Sequence, residues 1–419
     1  MTVSLQARRK PTEYFSFDIE AEKASKPEAK RLDDYCTAFD RAVKRRLRSA
    51  YPMGAEISGG LDSGGIVAYA VPHLRDTLAD FKGFGFAMYE HDAQAMQETA
   101  MHLNIPFMYV QTSQQLKLDD NEGYCAPPVL GVAPRFDTQG YYNFMLSSAR
   151  SVGIRTLLSG YGGDEIVTAI APRIAWAEAF RARDFAKLYA MSSGSGPRRL
   201  VEFARNARRG WRYELDAKRH LRNEAFFPTS LLSVEAAEQY GVLDIYREEQ
   251  KALAEARTFN QVCLGRTKFR RGLAGRLERT ALKANTFGVE FRYPMFDREL
   301  MVQVLRTPTV NLFEKGVQRS LHRKAISSHL PSRVFAVQKN QMGSQLAPFH
   351  WDLLLKMAPQ VPTVSSELEE FIDQEKLKYL EEKLAMSSNE HAKLSFQKKA
   401  ATVMDYHKLK MLDYWLRVS

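Results

Sequence analysis

The chain is poor in cysteine, with only Cys36, Cys125 and Cys263 among 419 residues. Their scattered spacing builds neither a disulfide framework nor a zinc site. They read as reduced thiols, which suits a cytoplasmic protein. Long apolar runs are also missing. Nowhere do about 18 consecutive apolar residues occur, so no membrane span is expected. Met1 to Lys10 is polar and basic with no apolar stretch behind it, so no secretory signal is expected either. No internal repeat or low-complexity tract is found.

What is present is an ordinary soluble composition, 45% apolar and 26% charged. A single core rarely grows past about 250–300 residues, so one domain with a helical annex, or two domains, is expected. The net charge of +11 favours an anionic ligand or partner. ATP satisfies that and so does RNA.

Residues 1–30 are rich in Lys, Glu, Ser and Pro and read as an irregular lead-in to a domain over 31–419. From Arg31, the residues Leu32, Tyr35, Phe39, Val43 and Leu47 recur at helical spacing. Lys44, Arg45, Arg46 and Arg48 then suit the negative end of that helix. Strand and helix signals alternate beyond it. Strands are expected at Gly54–Ile57, Phe81–Met88, Phe107–Val110 and Ile154–Leu158. Helices are expected at Asp92–Leu103, with Asp92 as N-cap, and at Thr138–Val152. This alternation implies an α/β fold with a doubly wound, mostly parallel sheet over about 50–170. Such a sheet binds its ligand at the carboxyl ends of its strands. A helical annex is expected over about 174–284, and a further helical part, carrying catalytic residues, over 285–419.

Two glycine-rich segments sit at such strand ends. Ser58-Gly59-Gly60-Leu61-Asp62-Ser63-Gly64-Gly65 follows a strand and opens a helix. Glycines let backbone N–H groups approach an anion, and a helix N-terminus adds positive potential. Ser58 and Ser63 offer hydroxyl donors. Asp62 is an odd residue to aim at a phosphate unless it holds Mg²⁺. The segment is not a Walker loop, because no Gly-Lys-Ser/Thr follows. Ser159-Gly160-Tyr161-Gly162-Gly163-Asp164-Glu165 repeats the pattern, and Asp164 is a second carboxylate suited to the same metal.

These two segments and Gly288-Val289-Glu290-Phe291-Arg292-Tyr293-Pro294-Met295-Phe296-Asp297 occur in an order that resembles the synthetase domain of class B asparagine synthetases, over roughly residues 31–350. The wider group includes β-lactam and carbapenam synthetases and lasso-peptide cyclases. The resemblance implies a PP-loop ATP-pyrophosphatase fold and a two-step reaction. A carboxylate is joined to AMP with release of pyrophosphate, and an amine then displaces AMP to form an amide. It also implies ATP and Mg²⁺. Asp62 and Asp164 would hold the metal, and Ser58, Gly59, Gly60 and Ser63 would cradle pyrophosphate. Ile57 and Phe86 would flank adenine, and Ser159 and Gly160 would meet the nucleotide through backbone. Lys339 would lie near the reacting centre, and Arg319 and Arg323 near phosphates.

Four positions depart from the family pattern. Glutamine-using members begin with a catalytic cysteine at position 2 and a glutaminase domain, whereas Thr2 stands here and Asp62 lies close to the start. The nitrogen is therefore expected from ammonia, from a separate glutaminase or precursor-processing subunit, or from an amine within the substrate. Tyr161 stands where asparagine synthetases have Glu. In the cyclising branch a Tyr pairs with a glutamate matching Glu290 as a general base. Gly64 replaces a serine, with one hydroxyl contact to phosphate expected to be lost. Glu56 occupies an ordinarily apolar strand position and is expected to pair with an arginine. Two other classes stay open: a PP-loop tRNA-modifying enzyme and a nucleotide-binding protein without catalysis. No nucleic-acid partner is expected.

Overall fold

The computed structural model describes residues 17, 27–74, 80–87, 90–111, 139–168, 172–222, 231–256, 258–269, 271–332, 334 and 366–386. Its centre is a parallel sheet of five short strands: β1 (Met53–Glu56), β2 (Lys82–Ala87), β3 (Phe107–Gln111), β4 (Thr156–Leu158) and β5 (Glu290–Arg292). Their order across the sheet is β3-β2-β1-β4-β5, and every neighbouring pair is parallel.

Helices α1 (Glu28–Arg46), α2 (Leu61–Ala70) and α3 (Glu90–His102) precede β3, and α4 (Gln139–Ser151) precedes β4. Tyr35 and Phe39 of α1, Ile66 and Val67 of α2 and Met96 of α3 join one core cluster with Ile57. Met145 and Leu146 of α4 pack with Phe84 and Leu157 in a second cluster. The sheet is therefore covered on both faces, as is usual for a parallel sheet.

The chain steps outward from β1 to β2 and β3, then returns to the other side of β1 with β4. The reversal lies between β1 and β4, where an open α/β sheet forms its ligand crevice. The two glycine-rich segments follow these two strands.

The described residues between 172 and 286 are mostly helical. They form α5 (Pro172–Arg181), α6 (Phe185–Ala190), α7 (Gly196–Arg222), α8 (Val234–Gln239), α9 (Val242–Glu255), α10 (Phe259–Phe269) and α11 (Arg271–Thr286). After β5 come α12 (Arg298–Arg306), α13 (Thr309–Leu312), α14 (Ser320–Ile326), α15 (Ser366–Glu369) and α16 (Gln374–Leu384). The Asp92 cap needs correcting. Helix α3 begins at Glu90, so Asp92 lies inside its first turn and is buried.

Candidate active site

The first loop leaves β1 at Ile57, whose N–H donates to the Phe84 carbonyl at 2.8 Å. Ser58 N–H donates to Ser63 Oγ at 3.0 Å, and the two serine hydroxyls are 2.9 Å apart. The loop thus closes on itself before α2 begins. Gly59 has φ +68°, and a Cβ there would stand 2.9 Å from Ala95 Cβ in α3. Glycine is required on both counts. Gly60 is the extended residue before α2, whose first-turn N–H groups lack intrahelical acceptors and supply donors for an anion.

The second loop lies directly against the first. A Cβ on Gly160 would be 2.9 Å from Ser63 N, and one on Gly163 would be 2.6 Å from Asp62 Cγ. The bare backbone at Gly163 is what lets the Asp62 carboxylate reach across. Gly163–Val167 then forms one π-helical turn that carries Asp164 and Glu165.

Asp62 and Asp164 meet through one guanidinium. Arg319 donates to Asp62 Oδ2 at 3.1 Å and Oδ1 at 3.3 Å, and through its other terminal nitrogen to Asp164. Thr168 Oγ1 donates to Asp62 Oδ1 at 2.7 Å. The Arg319 side chain is only 5% exposed. The two acids thus converge on a single cation, Arg319. Among the described residues no three His, Cys, Asp or Glu side chains form a closed metal cage. Mg²⁺ takes one or two carboxylates and draws its other ligands from phosphate and water. The donor set fits the metal.

Behind Asp62 sits a buried relay. His322 Nδ1 lies 2.7 Å from Tyr35 Oη, and Nε2 lies 3.3 Å from the Leu61 carbonyl. Both contacts are satisfied when Nε2 carries the proton and Nδ1 accepts from the phenol. Burial pushes the imidazole below its ordinary value, against the opposing pull of Asp62. The neutral ring therefore pins α14 to α1 and α2.

On the other side of the loops, the Arg276 guanidinium of α11 lies 4.0 Å from the Tyr161 ring centre. The ring also meets Tyr293 and Phe296 edge-on at 6.2 and 5.8 Å. Glu56 hydrogen-bonds Ser159. Burial pushes its carboxyl up, while Ser159 and then Arg276 pull it down. The hydrogen-bond partner of Glu56 is thus Ser159, with Arg276 acting on it electrostatically. Burial also raises Glu165, which accepts from Gly162 N–H at 3.1 Å.

Other expected residues fall differently. Glu290 does not meet Tyr161. It opens β5 in register with Thr156, two residues back from the carboxyl edge, and it is held by Arg292 through hydrogen bonds of 3.1 and 3.0 Å. Its side chain is 59% exposed. The physical reason is alternation: Glu290 and Arg292 share one face of β5 and close on each other. Ile57 and Phe86 lie on β1's end and on β2 respectively. The Ile57 side chain fills the space over Gly83 on the α3 side, whereas Phe86 shares the face of Phe84. Gly64 does not face the phosphate position, since a Cβ there would meet Leu330 at 3.2 Å. Arg323, one turn beyond Arg319, donates to the Gln318 carbonyl and is depressed by burial and then by Arg319. Lys339 and Cys125 lie outside the described residues.

The sequence did not single out Arg276, Thr168, His322 or Tyr35. Each is a common residue on a helix or turn, and its place at the site depends on packing between segments far apart in the chain.

Comparison with known proteins gives one family match. The asparagine synthase family matches residues 35–417. Among curated proteins, an asparagine synthetase (glutamine-hydrolyzing) of Arabidopsis thaliana is 29% identical over 145 residues, 31% of this chain and 24% of that protein. One from Lotus japonicus is 28% identical over 144 residues, 31% of this chain and 23% of its own length. One from Zea mays is 27% identical over 143 residues, 30% and 23% respectively. The chain thus matches about a quarter of the length of these relatives.

Proposed function

The chain belongs to the asparagine synthase family, and from that membership we propose that it is an ATP-dependent ligase that forms a carbon–nitrogen bond. It activates a substrate carboxylate as an acyl-adenylate, releases pyrophosphate, and lets an amine displace AMP. The observation that carries this reading is the meeting of the two loops at the β1/β4 reversal, with Asp62 and Asp164 converging on one cation.

In this reading the loop N–H groups of Gly59 and Gly60, with Ser58 and Ser63, hold the β- and γ-phosphates. Asp62 and Asp164 hold Mg²⁺, which when bound neutralises the phosphates and the departing pyrophosphate. Arg319 and Arg323 face the same anion. The backbone of Ser159 and Gly160 lies across the crevice from the first loop and orients the nucleotide. Lys339 is assigned to offset charge at the adenylate carbonyl. Tyr161 is assigned to pass the proton of the attacking amine to the Glu290 carboxylate, the phenol giving up its own proton as it accepts the amine's. Its ring is held by Arg276, a cation–π contact. Glu290 joins it only on release from Arg292. The substrate is aspartate with ammonia, or a carboxylate whose own or partner amine closes an amide in natural-product assembly. Tyr161 favours the second.

The test is exchange of labelled pyrophosphate into ATP across a panel of carboxylic acids that begins with aspartate. At least one acid should support exchange with Mg²⁺, and Asp62→Ala and Asp164→Ala should each abolish it. Exchange that survives both changes removes the metal assignment. MgATP binding without exchange by any acid would mark a nucleotide-binding protein instead.

A further inference from the structure

Arg319 does something that a phosphate-binding arginine need not do. Its guanidinium contacts both oxygens of Asp62 and one oxygen of Asp164, so it occupies the place where a metal would be shared. We propose that Arg319 is an exchangeable counter-ion. It neutralises the two carboxylates while no nucleotide is bound, keeps a bare divalent cation out, and yields the carboxylates only when phosphates arrive with the metal. This rests on the reading of Asp62 and Asp164 as metal ligands.

Three observations support it. The first is charge. Arg319 pairs with Asp62 and Asp164, and Arg323 acts on both Arg319 and Asp62, so two guanidinium groups already stand at the acids before any ligand enters. A divalent cation alone would add two positive charges beside two guanidinium groups. A metal that enters with polyanionic phosphates gives Arg319 a new partner as it loses the old one. The second is burial. With 5% of the side chain exposed, Arg319 cannot be neutralised by water if its carboxylates are taken away. It has to move to another anion. The third is that its backbone is fixed. Arg319 has φ +61° just ahead of α14, and α14 is tied to α1 and α2 by His322 through Tyr35 and the Leu61 carbonyl. The exchange therefore belongs to the long side chain and not to the helix. The result is coupling: metal and nucleotide each raise the affinity for the other, by the same factor.

The test uses Mn²⁺ as the probe, with free Mn²⁺ read from its electron paramagnetic resonance signal during titration of the full chain without nucleotide. The unsubstituted protein should bind Mn²⁺ weakly. Arg319→Gln should bind it roughly 5- to 150-fold more tightly, the usual range for coupled ligands. Arg319→Lys, which makes fewer contacts and serves if the glutamine variant does not fold, should fall between them. Adding a non-hydrolysable ATP analogue should tighten Mn²⁺ binding strongly in the unsubstituted protein and much less in the variants. Mn²⁺ affinity that is equal or lower in both variants overturns the inference. Tight binding by Arg319→Gln that persists when Asp62→Asn is added would instead remove the metal-ligand reading itself.

Discussion

Glu56 shows how one residue records a site. A carboxyl sits at the end of β1, hydrogen-bonded to Ser159 and drawn on by Arg276, and burial still pushes it above its ordinary value of 4.5. The folded protein therefore holds this proton more tightly than the unfolded chain does. The contribution favours folding at pH values below 4.5 and is lost as pH rises through the folded value. Glu56→Gln removes the charge and keeps a hydrogen-bonding group for Ser159. In denaturant unfolding it should stabilise the protein by about 1 kcal/mol at pH 8, the scale of one poorly solvated buried polar group, and the gain should vanish near pH 4. An equal effect at both values would mean the carboxyl is not desolvated. At this scale the sequence was legible where a residue type is chemically improbable. An acid in a glycine-rich loop pointed to Mg²⁺, and the partner that Asp62 and Asp164 share is Arg319. That the cation here is Arg319 was not legible as a pairing. Arg319 lies 257 and 155 positions from those acids, and no local spacing links them.

Among the elements, the third motif divides between scaffold and site. Asp297 is the N-cap of α12 and accepts from Glu299 and Leu300 N–H at 3.0 and 3.4 Å. It also takes a hydrogen bond of 2.7 Å from Arg46 at the end of α1. Burial alone would raise its carboxyl, but Arg46 and these N–H groups hold it below the usual carboxylate range. Its contribution is thus present above the unfolded value and is lost as pH falls through the lower folded one. Asp297→Ala removes a cap, ordinarily about 0.5–2 kcal/mol, and leaves Arg46 without this partner. A loss of about 2–3 kcal/mol in denaturant unfolding is expected at pH 7, with a smaller difference near pH 3. A neutral effect at pH 7 would show that α12 is held by its apolar face alone. Four of the five strands were legible as short apolar runs, and α1 from its 3.6-residue period, whereas β5 was not, since Glu290–Arg292 falls where only helix was expected. The start of α3 was not, because Asp92 resembles a cap and only the full helix shows Glu90 ahead of it. The face of the sheet on which Glu290 and Arg292 stand is likewise set by the pairing of β5 with β4, which sequence alone does not fix.

For the whole molecule, the strand order places both loops at one reversal, so the site follows from topology rather than from either loop alone. No described helix is long and apolar enough to cross a membrane. The alternation of strand and helix made the parallel sheet readable, and the loss of strand signals after about residue 174 made the annex readable. The packing of that annex was not, since Arg276 reaches Tyr161 from a helix whose sequence is one of many arginine-rich stretches. The proposed reaction joins a carboxylate to AMP at this crevice. Its most direct test takes the acid that supports pyrophosphate exchange, labels its carboxyl with ¹⁸O, and follows one round of reaction with MgATP and amine by ³¹P NMR. The label should appear in the phosphate of AMP, one oxygen per amide formed. Label in inorganic phosphate, with ADP as the other product, would contradict the account.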